Sequence, residues 1–167
     1  GLVGSALVRK FRAEGFTNVL MCSHDELDLT DRAATFDFVL QSRPQVIIDA
    51  AARVGGIMAN NSYPADFLSQ NLQIQVNLLD AAVAARVPRV LFLGSSCIYP
   101  KFAAQPIKES ALRTGALEPT NDAYAIAKIA GILQVQAVRR QYGLPWISAM
   151  PTNLYGPEDN FSLTGSH

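Results

Sequence analysis

Short apolar runs at 46–51, 89–94 and 144–150 alternate with longer stretches whose apolar residues recur at helical spacing. A strand that is apolar throughout is buried on both faces. Strands that alternate with helices run parallel, because a parallel neighbour is reached only by a crossover about a dozen residues long or more. The pattern predicts an α/β fold with a parallel sheet covered by helices on both faces. In such sheets ligands bind outside the carboxyl ends of the strands.

The punctuation between these runs sharpens the expectation. Gly1-Leu-Val-Gly4 predicts a glycine turn opening a helix from Ser5, which Gly15 closes. Residues 18–22 read as a further short strand. Asp31 caps a helix through Leu40, and Arg43-Pro44 stops it. A loop carrying Gly55-Gly56 and Asn60-Asn61 follows the strand at 46–51, and a long helix runs from Pro64 to about Arg86. The strand at 89–94 ends in Ser95-Ser96-Cys97. A loop with Pro106 and Pro119 leads to cap-type residues Asn121 and Asp122 and another long helix. Trp146 falls in the last strand and reads as core.

Composition narrows the function classes. Apolar residues make up 49% of the 167 and charged ones 17%, which fits a buried globular core rather than a disordered chain. The formal net charge is zero with no basic stripe, which excludes nucleic acid as the main partner. No apolar run is long enough to span a bilayer. Cys22 and Cys97 lack CxxC spacing and a histidine cluster, so they point to a reducing, cytoplasmic compartment and to no metal site.

Candidate chemistry gathers at the predicted carboxyl edge, where 1–4, 95–97 and 151–156 fall and the helix of Tyr124 begins. Tyr124 and Lys128 stand one turn apart on that helix. An ammonium beside a phenol favours the phenolate, so the pair is expected to have a lowered tyrosine pKa and to move a proton near neutral pH. By spacing alone the same pair is an ordinary helix surface. Gly1-x-x-Gly4 is equally a tight turn and the end of a phosphate-holding glycine loop. His24, Asp28 and Leu29 follow the second visible element, where a Rossmann unit faces the adenosine ribose. His24 leaves 2′-hydroxyl and 2′-phosphate both open, since histidine changes charge near neutral pH. Cys97 is either a small buried hydrophobe or an acid/base group with a stabilised thiolate. His167 in a polar tail carries no local signal.

More specific strings are Ala52-Arg-Val-Gly-Gly-Ile-Met-Ala-Asn60-Asn61, Tyr63-Pro-Ala-Asp-Phe67, Leu91-Phe-Leu-Gly-Ser-Ser-Cys-Ile-Tyr-Pro-Lys101, Leu117-Glu-Pro-Thr-Asn121, Tyr124-Ala-Ile-Ala-Lys-Ile-Ala-Gly131 and Met150-Pro-Thr-Asn-Leu-Tyr-Gly-Pro157. In these strings the chain resembles the extended short-chain dehydrogenase/reductase family, over nearly its whole length. The resemblance implies a Rossmann-like doubly wound parallel sheet that lacks its first strand, ahead of Gly1, and the C-terminal substrate domain. Residues 1–157 would be the truncated NAD(P)-binding domain and 158–167 the start of the substrate region.

The resemblance also implies a branch of the family that epimerises a GDP-4-keto-6-deoxy sugar at C-3 and C-5 and reduces C-4 with NADPH. In it Tyr124 would protonate the 4-keto oxygen, Lys128 would tune Tyr124 and hold the nicotinamide ribose, and Ser95 would bond the same oxygen. Cys97 and His167 would be the epimerising acid/base pair. NADP(H) would be held by Gly1, Leu2, Val3, Gly4, His24, Asp28, Leu29, Leu93, Gly94, Ser95, Ser96, Lys128, Pro151, Thr152, Asn153 and Leu154. A homodimer through the helices at 64–86 and 124–142 is expected, and these 167 residues alone are expected to be inactive. A 4-epimerase or a 4,6-dehydratase is the alternative. A dehydratase carries Thr-Asp-Glu where this chain has Ser96-Cys97-Ile98. A non-catalytic nucleotide-binding module is the reading from another class.

Overall fold

The computed structural model of the chain describes residues 1–157 and 159. Three strands, β1 (Val46–Asp49), β2 (Arg89–Leu93) and β3 (Ile147–Ala149), form a parallel sheet in the order β1-β2-β3. Val46 pairs with Arg89 and Asp49 with Phe92, while Leu91 pairs with Ile147 and Leu93 with Ala149. This is the Rossmann-like α/β arrangement expected, with β2 between its neighbours. The carboxyl ends of the three strands therefore lie side by side.

Helix α4 (Pro64–Ala84) connects β1 to β2, and α5 (Asp122–Tyr142) connects β2 to β3. They pack on one another, and α2 (Arg32–Ser42) packs on α4. Val39, Leu79, Val90, Phe92, Val135 and Trp146 are among the most deeply buried side chains of the resulting core. Trp146 is wholly buried, and its indole N–H donates to Val87 O at 2.9 Å. None of the described helices is long and apolar enough to cross a membrane.

Three buried amides on α4 tie the surrounding elements to it. Asn71 accepts from Arg53 N and donates to Arg53 O and Phe67 O, which pins the loop after β1. Gln75 Nε2 donates to Ala127 O of α5 at 2.7 Å. Asn77 Nδ2 donates to Leu29 O and Thr30 O ahead of α2. The bonds to Arg53, Leu29 and Thr30 satisfy backbone groups that lie outside any helix or strand, and a buried group of that kind left without a partner costs about 1–3 kcal/mol.

The helix boundaries follow local chemistry. Asp31 caps α2 by accepting from Ala34 N, and Arg43 ends it in the left-handed region at φ 45. Helix α1 (Leu2–Ala13) ends with Gly15 at φ 84; Gly15 N bonds Arg12 O and Phe16 N bonds Phe11 O. This is the Schellman pattern, and the Phe11 and Phe16 rings meet edge-on at 5.4 Å to complete it.

Several expectations are corrected. Residues 18–22 form no strand, and Leu20 and Met21 are exposed. A strand needs a hydrogen-bonded neighbour, and among the described residues β1 pairs only with β2. The loop at 55–61 contains a short helix, α3 (Ile57–Ser62), stabilised where Asn60 Nδ2 donates to Gly55 O and Gly56 O. Helix α1 starts at Leu2, so Gly4 lies within its first turn rather than ahead of it. Asn121 is the N-cap of α5 by position, but its side chain makes no cap bond.

Candidate active site

The site is assembled where β2 ends. Gly94 N donates to Ala149 O at 2.8 Å, so the chain leaves β2 pressed against β3. A side chain at Gly94 would stand 3.3 Å from both Ala149 O and Ile132 Cδ1, closer than most side-chain carbons come. Ser95 is extended, and a single 3₁₀ turn, Ser96–Ile98, follows. That turn brings Cys97 back over Ser95, and the Cys97 thiol donates to Ser95 Oγ at 3.3 Å.

From α5, Lys128 enters the same place. It is 4% exposed, which is rare for a lysine without partners. Its ammonium donates to Leu93 O at 2.9 Å and sits 4.8 Å from the centre of the Phe92 ring. The half-buried Tyr124 ring lies one turn earlier, its centre 5.9 Å from Lys128 Nζ. Burial pushes the Lys128 pKa down, and the Asp49 and Cys97 charges partly restore it.

The expected lowering of the Tyr124 pKa is overturned. Burial pushes the phenol well above its ordinary value of 10.0, and the charges of Cys97 and Asp49 push the same way. The ammonium is turned toward Leu93 O rather than the phenol oxygen, and water, the best solvent for a phenolate, is partly excluded. The Cys97 thiol is also raised. Burial is the main cause, and it outweighs the opposing bond to Ser95 and the charge of Lys128. Cys97 therefore holds its proton at neutral pH instead of resting as the stabilised thiolate.

Of the expected site residues, Leu93, Gly94, Ser95, Cys97, Tyr124 and Lys128 come together, with Ser96 in the same turn. Residues 1–4 and 151–156 meet at a second point. A side chain at Gly156 would approach Leu2 Cδ1 to 3.8 Å, so the first turn of α1 borders the loop after β3. There Pro151 is half-buried while Thr152, Asn153 and Leu154 are exposed.

His24 and Asp28 lie in an exposed turn, with His24 Nδ1 3.9 Å from Asp28 Oδ1. Hydrogen bonds from Thr30 hold the Asp28 carboxyl below the usual range. With Gln70 and Gln73 of α4 these residues line a shallow depression. Leu29 beside them is half-buried under α4. His167 lies outside the described residues.

Asp49, at the carboxyl end of β1, escaped the sequence reading. It is 2% exposed, and its charge acts on both Lys128 and Tyr124. The signal was available, because Asp49 is the one charged residue in the apolar run at 46–51.

Comparison with known proteins gives the family and the fold. The NAD dependent epimerase/dehydratase family matches residues 1–167. The chain is 61% identical over 167 residues to GDP-L-fucose synthase 1 of Arabidopsis thaliana, covering all of this chain and 52% of that protein. It is 53% identical over 167 residues to GDP-L-fucose synthase of Escherichia coli (strain K12), again covering all of this chain and 52% of the relative. Among solved structures it resembles a GDP-L-fucose synthetase from Naegleria fowleri bound to NADP. The TM-score is 0.90 at 28% identity, covering 100% of this chain and 52% of that one. The chain thus spans about half the length of the curated relatives it matches.

Proposed function

The chain belongs to the NAD dependent epimerase/dehydratase family, and on that premise we propose that it is the cofactor-binding half of a GDP-L-fucose synthase. The whole protein would epimerise GDP-4-keto-6-deoxy-D-mannose at C-3 and C-5 and reduce C-4 with NADPH. Residues 1–157 form the nucleotide-binding domain in this reading, and 158–167 lead into the region that holds the GDP-sugar.

The residues present fit the cofactor. The first turn of α1 offers backbone N–H groups to a phosphate, beside the loop at 151–156. Lys128 spends one donor on Leu93 O and has two left for a ribose hydroxyl. When bound, NADPH supplies the hydride that C-4 accepts.

The protein groups then divide the proton work. A ketone at C-4 acidifies the hydrogens at C-3 and C-5, so a base removes each proton and an acid returns one on the opposite face. Cys97, which keeps its thiol proton at neutral pH, acts as the donor, and His167 is assigned the other role. Ser95 and Tyr124 stabilise the enolate oxygen. In the reduction Tyr124 gives its proton to the C-4 oxygen as hydrogen arrives at carbon, so the carbonyl becomes a hydroxyl and the phenol a phenolate. The raised Tyr124 pKa suits that acid: the proton stays until the oxygen becomes basic.

The observation that carries the reading is the Cys97–Ser95 hydrogen bond beside the Tyr124–Lys128 pair. Reduction alone requires serine, tyrosine and lysine; the thiol at the same spot adds the acid that epimerisation requires. The outer faces of α4 and α5 leave Val76 and Ile126 exposed, which supports a homodimer through these helices. Free Cys22 and Cys97 are consistent with a cytoplasmic enzyme.

The test is product analysis of the full-length protein with GDP-4-keto-6-deoxymannose and NADPH. GDP-L-fucose is expected. A product reduced without inversion at C-3 and C-5, or a 4-epimer of a supplied nucleotide sugar, overturns the assignment.

A further inference from the structure

Asp49 has one oxygen that the fold leaves without a partner. Oδ1 accepts from Ala51 N at 3.1 Å, but Oδ2 is buried and makes no hydrogen bond. A buried carboxyl in that state is costly unless a charge compensates it. The register sets Asp49 beside Phe92, and the Phe92 ring carries the Lys128 ammonium. Lys128 in turn makes no direct ion pair among the described residues, its hydrogen bond going to the neutral Leu93 O. The carboxyl and the cation thus both neighbour one phenylalanine, and among the described residues neither has a charged group in direct hydrogen-bond contact. The titratable groups acting on Lys128 are Asp49 from β1 and Cys97 from the turn after β2, and the same two act on Tyr124 from α5.

We propose that Asp49 is a positioning residue for the Tyr124–Lys128 pair: its carboxyl is the fixed counter-charge that keeps the buried ammonium charged at Leu93 O and the proton on Tyr124. The inference rests on the reading of Tyr124 as the reducing acid. Burial raises the Asp49 pKa while Lys128 opposes the rise, so the counter-charge develops as pH increases. Once formed it favours the protonated states of both Lys128 and Tyr124. It therefore extends the alkaline range in which the phenol can act as an acid.

The test compares the full-length protein with its Asp49→Asn and Asp49→Leu variants, following kcat/KM for keto-sugar reduction against pH. At low pH, where Asp49 is uncharged, the curves should coincide. On the alkaline side both variants should lose activity about one pH unit earlier, because Lys128 and Tyr124 each release their proton sooner. Alkaline limbs that superimpose overturn the proposal. A merely structural role would change thermal stability without moving the limb.

If neither variant folds, the carboxyl carbon NMR signal of Asp49 in the unaltered protein decides. It should show ionisation below the pH at which activity falls, and a carboxyl still protonated there overturns the proposal. Tyr124→Phe separates the two readings. If that variant still reduces the sugar, the tyrosine assignment fails; if it is inactive while Asp49→Asn behaves as the unaltered protein, only the proposal for Asp49 fails.

Discussion

The Phe92 ring occupies the space in which any side chain at Gly131 would stand. A Cβ there would collide with the ring and come within 2.9 Å of Gln75 Oε1. This missing side chain lets α5 lie directly on β2, and so brings Lys128 within reach of Leu93 O. Gly131→Ala gains about 1 kcal/mol of helix propensity, but it overpacks a core in which Phe92 is wholly buried, which costs about 1–3 kcal/mol. A net loss of up to about 2 kcal/mol is expected in denaturant unfolding. The rate of reduction should fall with it, because the helix carries Tyr124 and Lys128.

Tyr124→Phe removes the acid without removing the ring. Reduction should fall by about 10²–10⁴-fold, while NADPH titration followed by the fluorescence of Trp146 is unchanged. In the unaltered enzyme the alkaline limb of reduction should lie above the ordinary tyrosine value of 10.0, since burial raises the phenol. A limb near neutral pH assigned to Tyr124 would contradict this.

Cys97→Ser should separate the two halves of the reaction. Exchange of the C-3 and C-5 hydrogens with deuterated solvent, without NADPH, should slow by about 10²–10⁴-fold, because a serine hydroxyl is a far weaker acid. The Tyr124→Phe variant should exchange those hydrogens better than Cys97→Ser does, although it cannot complete the reduction.

Tyr124 also makes the fold sensitive to alkali. Its folded pKa is raised above the ordinary 10.0, so its contribution is fully present below that value and is lost as pH rises through the folded pKa. Tyr124→Phe lacks this loss. Melting curves from neutral to strongly alkaline pH should show the variant gaining on the unaltered protein only above the ordinary tyrosine value.

Asn71→Leu strands both backbone groups of Arg53 in the loop after β1. A loss of about 2–3 kcal/mol is expected, because Leu is close in size but offers no bond. Hydrogen exchange should quicken in the loop after β1 before it does in α5.

The amino-acid order by itself determined whatever depends on near neighbours. It set the alternation of strands and helices, the stops at Gly15 and at Arg43-Pro44, and the one-turn spacing of Tyr124 and Lys128. These follow from helical and strand periodicity, from glycine's tolerance of a positive φ and from proline's inability to continue a helix. It also put Ser95 and Cys97 at a strand end. Only the tertiary structure decided that residues 18–22 have no strand to pair with. Only it decided that Lys128 is buried on a carbonyl 35 residues away, and that Tyr124 becomes a weaker acid rather than a stronger one. The reason is that a pKa depends on lost water and on charges from other elements. Asp49 and Cys97 reach Tyr124 through packing, and no spacing along the chain announces that.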